Sequence, residues 1–289
     1  MVGAPLLASQ YQVAAQSSTR TRLESPQGKE MGKETQMKNL SNRVVMVTGG
    51  ATGIGAAVVE QFARAGHAVA CCYNKSEQAA QALAASLADE EKEILTVKMD
   101  VAHSSEVRLG IAHIASYFGR PITVLVNNAG DVIKTAPMEE MDEELWDLVL
   151  AVNLKGAFLC AKNCIPGMKS SGWGRIINVS SISARSGGAP GGAHYAASKA
   201  GVESLTRSLA KEVAPFNITV NAVSPGVVLT PIHERHNTPE TLERLRQLVP
   251  LQRLGVPEEV ASVVEFLASE GASYVTGAIV PINGGMRMD

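Results

Sequence analysis

A tyrosine and a lysine four residues apart, Tyr195 and Lys199, have a clear capacity for proton transfer. On a helix, residues four apart lie on one face, so a buried ammonium would sit beside the phenol. That ammonium would favour the phenolate and lower the tyrosine pKa from its unperturbed value of about 10. Such a tyrosine can donate a proton to a carbonyl oxygen or accept one from an alcohol. Taken alone, however, this spacing is more often an ordinary helix face.

Two further polar residues favour the chemical interpretation of this pair. Ser181 follows an apolar strand predicted over Ile176–Val179, and a hydroxyl there could polarise the same carbonyl oxygen. Asn153 lies in the preceding predicted helix, among apolar neighbours where an amide is unusual. We therefore take Asn153, Ser181, Tyr195 and Lys199 as the candidate catalytic residues.

A glycine-rich stretch follows the first predicted strand, Val44–Val47, and precedes a helix predicted over Ala56–Ala65. Its sequence is TGGATGIG, residues 48–55. Glycines let the backbone turn and approach a pyrophosphate, whose charge favours a helix N-terminus. Many such stretches are only turns, but a strand–turn–helix context is the one a dinucleotide requires. The candidate contacts are Gly49, Thr52, Gly53, Ile54 and Gly55.

The end of the second predicted strand, His67–Tyr73, indicates which dinucleotide binds. An Asp or Glu there would hold the adenosine ribose 2′-hydroxyl and repel a 2′-phosphate. The strand ends instead in Tyr73, Asn74, Lys75 and Ser76, which supply one positive charge and hydrogen-bond donors. This composition favours NADP(H), with NAD(H) as the alternative if Lys75 is only a solvated loop charge.

Two more predicted strands end in turn-forming residues. Asp100-Val101 closes the third strand, and Asn127-Asn128-Ala129-Gly130 closes the fourth. Ligands bind outside the carboxyl ends of parallel strands, although each of these turns could also be simple turn chemistry. The further candidate contacts are Asp100, Val101, Asn127, Ala129 and Gly130.

Strands and helices alternate along the chain, and strands separated by helices need crossovers. The sequence therefore predicts an α/β fold, a single Rossmann-type doubly wound parallel sheet with helices on both faces, in residues 41–289. Pro281 places the last strand at a sheet edge or strand end. The predicted strands after the first are Ala68–Cys72, Ile94–Met99, Thr123–Val126, Ile176–Val179, Thr219–Val223 and Ala278–Ile282, and the last predicted helix is Glu258–Ala268.

Composition limits the possible partners. Lys and Arg total 26 against 28 Asp and Glu, so no global field attracts nucleic acid or an anionic membrane. The four cysteines have no zinc-like spacing and indicate a reduced compartment. With no run of about 18 apolar residues, no membrane-spanning helix is expected. We expect a small-molecule carbonyl or alcohol substrate, no metal, and a cytoplasmic protein.

The first 40 residues are rich in Ser, Gln, Thr and Lys and lack sustained periodicity. Such a segment buries too little apolar surface to order itself, so residues 1–40 are predicted to be a disordered extension. The first acidic residue is Glu24, with Arg20 and Arg22 before it, so an organelle transit peptide or a leader sequence are alternatives.

Taken together, these motifs resemble the short-chain dehydrogenase/reductase family over roughly residues 41–289. The resemblance implies that Tyr195 is the acid or base and that Ser181 orients the carbonyl. It implies that Lys199 binds the nicotinamide ribose and tunes Tyr195, while Asn153 helps to hold a proton-relaying water. Ser180 is a lesser candidate for the serine role, because the stretch from Ser181 to Tyr195 is about one residue longer than is common. The turn after the sixth strand would flank the nicotinamide through Pro225, Gly226, Val228 and Thr230.

The same resemblance points to a substrate class. The sequence is similar to β-ketoacyl-[acyl-carrier-protein] reductases and also to sugar and polyol dehydrogenases. The leading hypothesis is therefore the reduction of a 3-oxoacyl or similar ketone, and the alternative is the oxidation of a sugar or polyol. A non-catalytic dinucleotide-binding module is an alternative of another class. Gly172 and Phe216 stand where those reductases often carry basic residues, which argues against an acidic carrier-protein partner. A homotetramer is implied.

Substrate selection is expected in the segment Leu229–Pro250, which resembles the family's mobile lid, and in the Gly-rich loop before Tyr195. Within that segment, His233-Glu234-Arg235-His236 invites a metal interpretation. The His-x-x-His spacing is not that of the helical zinc motif, so loop polarity explains it better.

Overall fold

The computed structural model describes residues 43–88, 92–230 and 238–288. The strands are β1 Val44–Thr48, β2 Ala68–Tyr73, β3 Ile94–Lys98, β4 Val124–Asn127, β5 Gly174–Val179, β6 Ile218–Pro225 and β7 Ile279–Ile282. All seven are parallel and form one sheet in the order β3-β2-β1-β4-β5-β6-β7. The strand order reverses between β1 and β4, which is where doubly wound sheets open a ligand crevice.

The central strands are buried on both faces. Every residue of β1, β2, β4, β5 and β6 is buried, as expected when crossover helices cover both sides of a parallel sheet. This confirms the predicted doubly wound α/β fold, and the strand bounds differ from the prediction by one or two residues. Pro281 lies in β7 opposite Ser224, at the edge of the sheet, as predicted.

Helices cover the sheet in two layers. The helices are α1 Gly53–Arg64, α2 Glu77–Ala88, α3 Ser104–Tyr117, α4 Glu143–Leu150, α5 Gly156–Ser170, α6 Ser183–Ser186, α7 Ala193–Val213, α8 Pro239–Leu248 and α9 Pro257–Ala268. One hydrophobic core packs α1, α2 and α9 against the sheet, and a second core packs α3, α5 and α7 against the opposite face of the sheet. A π-helical turn, Ala151–Lys155, joins α4 to α5.

The joined helix Glu143–Ser170 bears on the expectation that no helix spans a membrane. It is 28 residues long, and its most apolar 18-residue window has a mean hydropathy of 1.5, so by length and composition it could cross a membrane. Of that window, 44% is buried inside the protein, and α5 packs against β4 and β5. A core helix meets the same test.

Some expectations fall outside the described residues. The predicted disordered extension of residues 1–40 lies outside them, and so does the segment 231–237, which contains His233 and His236. Of the segment compared with a lid, the structure describes Leu229, Thr230 and the stretch that contains α8. Within the described residues, no group of His, Cys, Asp and Glu is arranged to hold a metal ion.

Candidate active site

The glycine-rich stretch forms a tight turn between β1 and α1. Gly49 and Gly53 have φ values of +62° and +54°, a region that favours glycine. A Cβ at Gly55 would overlap the Gly49 carbonyl oxygen and approach the Asn128 amide nitrogen to 2.6 Å. At the start of α1, the Thr52 side chain makes no capping bond and the first turn holds no acidic residue. The free N–H groups and the helix dipole therefore suit an anion.

Asn128 holds this turn in place, a role that the sequence did not reveal. Its side-chain amide donates to the carbonyl oxygens of Thr48 and Gly49, each at 3.0 Å. In return, the Thr48 hydroxyl accepts from the backbone N–H groups of Asn128 and Ala129, each at 3.0 Å. These bonds fix the ends of β1 and β4 to each other across the crevice. Asn128 lies between two predicted contacts, and only the fold shows its direction.

The Asn127 side chain makes its hydrogen bonds inside the fold. It is buried, and its amide donates to the Asn178 side-chain oxygen at 2.9 Å and to the Ala157 carbonyl oxygen at 3.4 Å. Asn178 in turn donates to the Thr206 hydroxyl at 2.8 Å. The Asn127 side chain therefore ties β4 to β5 and α7 beneath the crevice, and only its backbone lies at the crevice edge.

The predicted adenosine region lies at the ends of β2 and β3. Asn74 donates to the Asp100 carboxylate at 3.0 Å, and Asp100 also accepts from the Ala102 N–H at 2.9 Å. Lys75 and Ser76 are exposed, whereas Tyr73 and Val101 are buried. Burial raises the pKa of Tyr73, as do the charge of Glu77 and its hydrogen bond to the phenol. A carboxylate that the sequence did not single out, Glu77, therefore stands near this end of β2.

Tyr195 and Ser181 meet at the carboxyl end of the sheet. Tyr195 lies in the first turn of α7, Ser181 lies between β5 and α6, and their side chains are hydrogen-bonded. Burial raises the pKa of Tyr195, the hydrogen bond with Ser181 lowers it, and the charge of Asp131 raises it. The net direction is upward. The phenol is therefore protonated at neutral pH and can act as a proton donor.

Lys199 departs from the sequence-based expectation of a direct effect on the phenol. Its ammonium donates to the Val179 carbonyl oxygen at 2.8 Å and lies 5.6 Å from the centre of the Tyr195 ring. Burial lowers the pKa of Lys199 to about 8, and the predicted lowering of the Tyr195 pKa is not found. The direction of the Tyr195 pKa differs from the expectation because burial of the phenol is the largest cause of its shift, and Lys199 is not among the causes.

Asn153 lies in the π-helical turn and is 2% exposed. Its amide donates to the Asp131 carbonyl oxygen at 3.1 Å and to the Ser198 hydroxyl at 3.0 Å, and its oxygen accepts from the Asp131 N–H at 2.9 Å. A Cβ at Gly130 would lie 2.9 Å from both the Asn153 oxygen and the Lys199 nitrogen. Asn153 and Lys199 thus meet beside Gly130. Single π-helical turns often mark functional sites, and the sequence showed no sign of this one.

Ser180 points away from the phenol. It is buried, and its hydroxyl lies 3.3 Å from both the Lys199 carbonyl oxygen and the Glu203 carboxylate. Glu203 also accepts from Arg185 at 3.0 Å and from Arg207 at 3.3 Å. The structure therefore brings Ser181, rather than Ser180, to Tyr195, and Ser180 joins a group that connects α6 to α7.

The turn after β6 lies next to this site. The Pro225 carbonyl oxygen accepts from the Ile182 N–H at 2.9 Å, directly after Ser181. A Cβ at Gly226 would meet Asn283 at 2.9 Å. Val228 is buried and Thr230 is partly buried. A cavity of about 250 Å³ opens on the far side of this turn, and its lining residues, among them Val249 and Gly284, do not include Tyr195.

This geometry fits a dinucleotide. Helix α1 offers free N–H groups at a turn that glycine keeps narrow. Among the described residues, the Lys199 ammonium has one hydrogen-bond acceptor, Val179, so a ribose hydroxyl could take another of its three donors. This turn and Tyr195 both lie at the carboxyl ends of the parallel strands, where such sheets bind their ligands. The fold and site together define a dinucleotide-dependent oxidoreductase.

Comparison with known proteins agrees. Residues 49–287 match the profile of a family described as Enoyl-(Acyl carrier protein) reductase. The 3-oxoacyl-[acyl-carrier-protein] reductase FabG of Pseudomonas aeruginosa is 41% identical over 251 residues, which are 86% of this chain and 99% of that protein. The Staphylococcus epidermidis FabG is 38% identical over 247 residues, with 86% and 100% covered. A 3-oxoacyl-[acyl-carrier-protein] reductase of Synechocystis is 40% identical over 253 residues, with 87% and 100% covered.

The chain belongs to the short-chain dehydrogenase/reductase family. It is an NAD(P)-dependent oxidoreductase that acts on CH–OH groups and the corresponding carbonyls. Its cofactor is a nicotinamide dinucleotide, and its substrate is a small molecule.

Proposed function

We propose that this enzyme reduces the ketone of a 3-oxoacyl substrate with NADPH. Three relatives that are 38–41% identical over nearly their whole length are named 3-oxoacyl-[acyl-carrier-protein] reductase. The observation that carries the proposal is the hydrogen-bonded Tyr195–Ser181 pair at the carboxyl end of the sheet, with Lys199 and Asn153 beside Gly130. Two hydroxyls side by side suit a carbonyl oxygen, which can accept a hydrogen bond from each.

Each catalytic side chain has a distinct role in this proposal. Ser181 donates to the ketone oxygen and orients it, and Tyr195 transfers its proton to that oxygen as negative charge develops. The bound dinucleotide supplies the hydride to the carbonyl carbon. Lys199 binds the ribose hydroxyls and favours the phenolate left after proton transfer, and Asn153 holds the backbone at Asp131 and a relaying water. Because the pKa of Tyr195 is raised, the phenol keeps its proton at neutral pH and can donate it to the ketone oxygen.

The proposed dinucleotide contacts follow the crevice. The turn at the start of α1 would hold the pyrophosphate, Asp100 and Val101 would hold the adenine, and Gly130 and the turn after β6 would hold the nicotinamide end. The residues proposed for these contacts are Gly49, Thr52, Gly53, Ile54, Gly55, Tyr73, Asn74, Lys75, Ser76, Asp100, Val101, Asn127, Ala129, Gly130, Tyr195, Lys199, Pro225, Gly226, Val228 and Thr230.

NADPH is proposed over NADH because the exposed Lys75 follows β2. The Glu77 carboxylate is hydrogen-bonded to Tyr73, which holds it back from a ribose. We expect Lys75→Glu to raise the KM for NADPH at least about tenfold and to leave the KM for NADH within about threefold. The exposed Lys211→Glu variant is the control. Equal changes in the KM for NADPH and the KM for NADH would contradict the assignment of Lys75 to the 2′-phosphate.

The proposed reaction is tested by cofactor oxidation with 3-oxoacyl thioesters, and by cofactor reduction with sugars and polyols. We expect turnover with the thioesters and a fall of at least about a thousandfold in kcat for Tyr195→Phe, since that variant keeps the ring and loses the proton. Turnover of sugars or polyols alone would replace the proposed substrate. Activity that survived Tyr195→Phe would contradict the mechanism, and the lack of any turnover would favour a binding module.

A carrier-linked substrate is compatible with the surface, although Gly172 and Phe216 are not basic. These two residues precede β5 and β6, at the amino ends of the strands, whereas Tyr195 lies at the carboxyl ends. Lys169 lies with its ammonium 4.1 Å from the centre of the Phe216 ring, so this surface keeps one cation. Comparing kcat/KM for carrier-linked and small thioester forms of one acyl chain would show whether the carrier contributes.

We also propose a cytoplasmic homotetramer, with residues 1–40 as an extension outside the catalytic domain of 41–289. Large apolar side chains on the joined helix are exposed, Leu148 by 47% and Phe158 by 44%, and β7 leaves one edge of the sheet unpaired within the described chain. Both features suit contacts between copies. Sedimentation equilibrium of the full chain would decide, and a monomer would contradict the assignment.

A further inference from the structure

His194, which directly precedes the proposed proton donor, is fully buried and bonded through both ring nitrogens. Nδ1 lies 2.8 Å from the Tyr195 backbone nitrogen, and Nε2 lies 2.9 Å from the Lys134 carbonyl oxygen. A backbone N–H can only donate and a carbonyl can only accept, so Nδ1 carries the lone pair and Nε2 carries the hydrogen. The two partners therefore fix a neutral ring in a single tautomer.

The bond to Tyr195 compensates for a missing helix cap. Helix α7 begins at Ala193 and its capping position is Gly192, which has no side chain to accept the first free N–H groups. Nδ1 of His194 accepts one of them, the N–H of Tyr195. The backbone that carries the phenol is thereby held by the neighbouring imidazole.

The bond to Lys134 reaches 60 residues back, to the loop of residues 131–137. A second bond joins the same loop to the residues before α7, from the Ala136 N–H to the Gly191 carbonyl oxygen at 3.1 Å. At its other end, the 131–137 loop is held by the two-way pairing of Asp131 with Asn153. The loop is thus fixed between Asn153 and the residue that directly precedes Tyr195.

The 131–137 loop contains a residue that needs such support. Ile133 has a φ of +63°, which is rare for a β-branched side chain. A conformation of this kind persists only where the surroundings enforce it. The Asp131 carboxylate accepts from the Ile133 N–H at 3.2 Å on one side, and His194 holds the next carbonyl, that of Lys134, on the other.

We propose that His194 is a positioning residue that fastens the 131–137 loop to the backbone of Tyr195. One buried ring then sets both the place of the proton donor and the place of a loop that is bonded to the Gly-rich stretch expected to select the substrate. This inference rests on the proposed role of Tyr195. The two ring nitrogens have separate tasks: Nδ1 serves proton transfer through Tyr195, and Nε2 serves substrate binding through the loop.

Two substitutions separate these tasks. In His194→Asn the amide oxygen replaces Nδ1 and can accept from Tyr195, while nothing reaches Lys134. In His194→Gln the amide nitrogen replaces Nε2 and can donate to Lys134, while the acceptor for Tyr195 is lost. We expect His194→Asn to raise the KM for the carbonyl substrate about tenfold with little change in kcat. We expect His194→Gln to lower kcat about tenfold with little change in KM.

Hydrogen exchange gives a readout that does not depend on turnover. In His194→Asn, peptides covering 131–137 should exchange at least about tenfold faster than in the unmodified enzyme, and the Tyr195 amide should keep its protection. In His194→Gln the pattern should be reversed. The exposed His113→Asn variant of α3 is the control and should change neither.

The outcomes distinguish this inference from the proposed function. If both variants change kcat and KM in parallel, or if both retain the original values and exchange pattern, the inference is wrong whatever the fate of Tyr195→Phe. If Tyr195→Phe stays active while the exchange patterns separate as expected, His194 still fastens the loop and the proposed role of Tyr195 is wrong.

Discussion

The buried Lys199 predicts an unusual rise in stability at high pH. Burial lowers its pKa from 10.5 to about 8, so the folded protein binds this proton less tightly than the unfolded chain does. Below pH 8 both states hold the proton and the full penalty of burying the charge is present. Between pH 8 and 10.5 the unfolded chain binds more protons, so the free energy of unfolding increases with pH. The total gain is about 3 kcal/mol.

The measurement compares the unmodified protein with Lys199→Met, which keeps the length of the side chain and has no charge. Urea unfolding followed by tryptophan fluorescence at several pH values from 7 to 10.5 gives the free energy of unfolding of each protein. Every other titration is shared, so the difference isolates Lys199. We expect the original protein to gain about 3 kcal/mol on the variant across this range.

The exposed Lys211→Met variant of the same helix is the control, and its profile should stay within about 0.5 kcal/mol of the original at every pH. Parallel profiles for the original protein and Lys199→Met would refute the reasoning. They would mean that the Lys199 ammonium is solvated rather than buried.

Three further predictions concern other parts of the structure. Gly55→Ala should weaken dinucleotide binding at least about tenfold, measured by titration, since its Cβ would overlap the Gly49 carbonyl oxygen; unchanged affinity would contradict the narrow turn. Glu203→Gln should lower the free energy of unfolding by about 2 kcal/mol, because the Arg185 and Arg207 pairs lose their carboxylate; a neutral result would show that these pairs add little. The four buried cysteines, with thiol pKa values raised by burial to about 12 for Cys71 and Cys160, should not react with a thiol reagent until the protein unfolds.

The sequence predicted the parts of this protein that depend on local pattern. Apolar runs bounded by turns located all seven strands, and the helical spacing placed Tyr195 and Lys199 at the start of one helix. Both patterns arise within a few residues, so they can be recognised without knowledge of the fold.

The direction of the Tyr195 pKa cannot be predicted from a local pattern. It depends on how much of the phenol is buried and on which groups face it, and Asp131 and Ser181 approach the phenol from the segments that follow two different strands.

Two residues that the sequence did not reveal, Asn128 and His194, have partners that are distant along the chain. Asn128 holds a turn 79 residues earlier, and His194 bonds a loop 60 residues earlier. Such residues do not react, so no chemical pattern marks them, but they set where the reacting atoms lie. Displacement of a catalytic group by about 1 Å can cost about a hundredfold in rate. The energetic contribution of Asn128 and His194 to catalysis can therefore rival that of residues that touch the substrate, and it is accessible only through the fold.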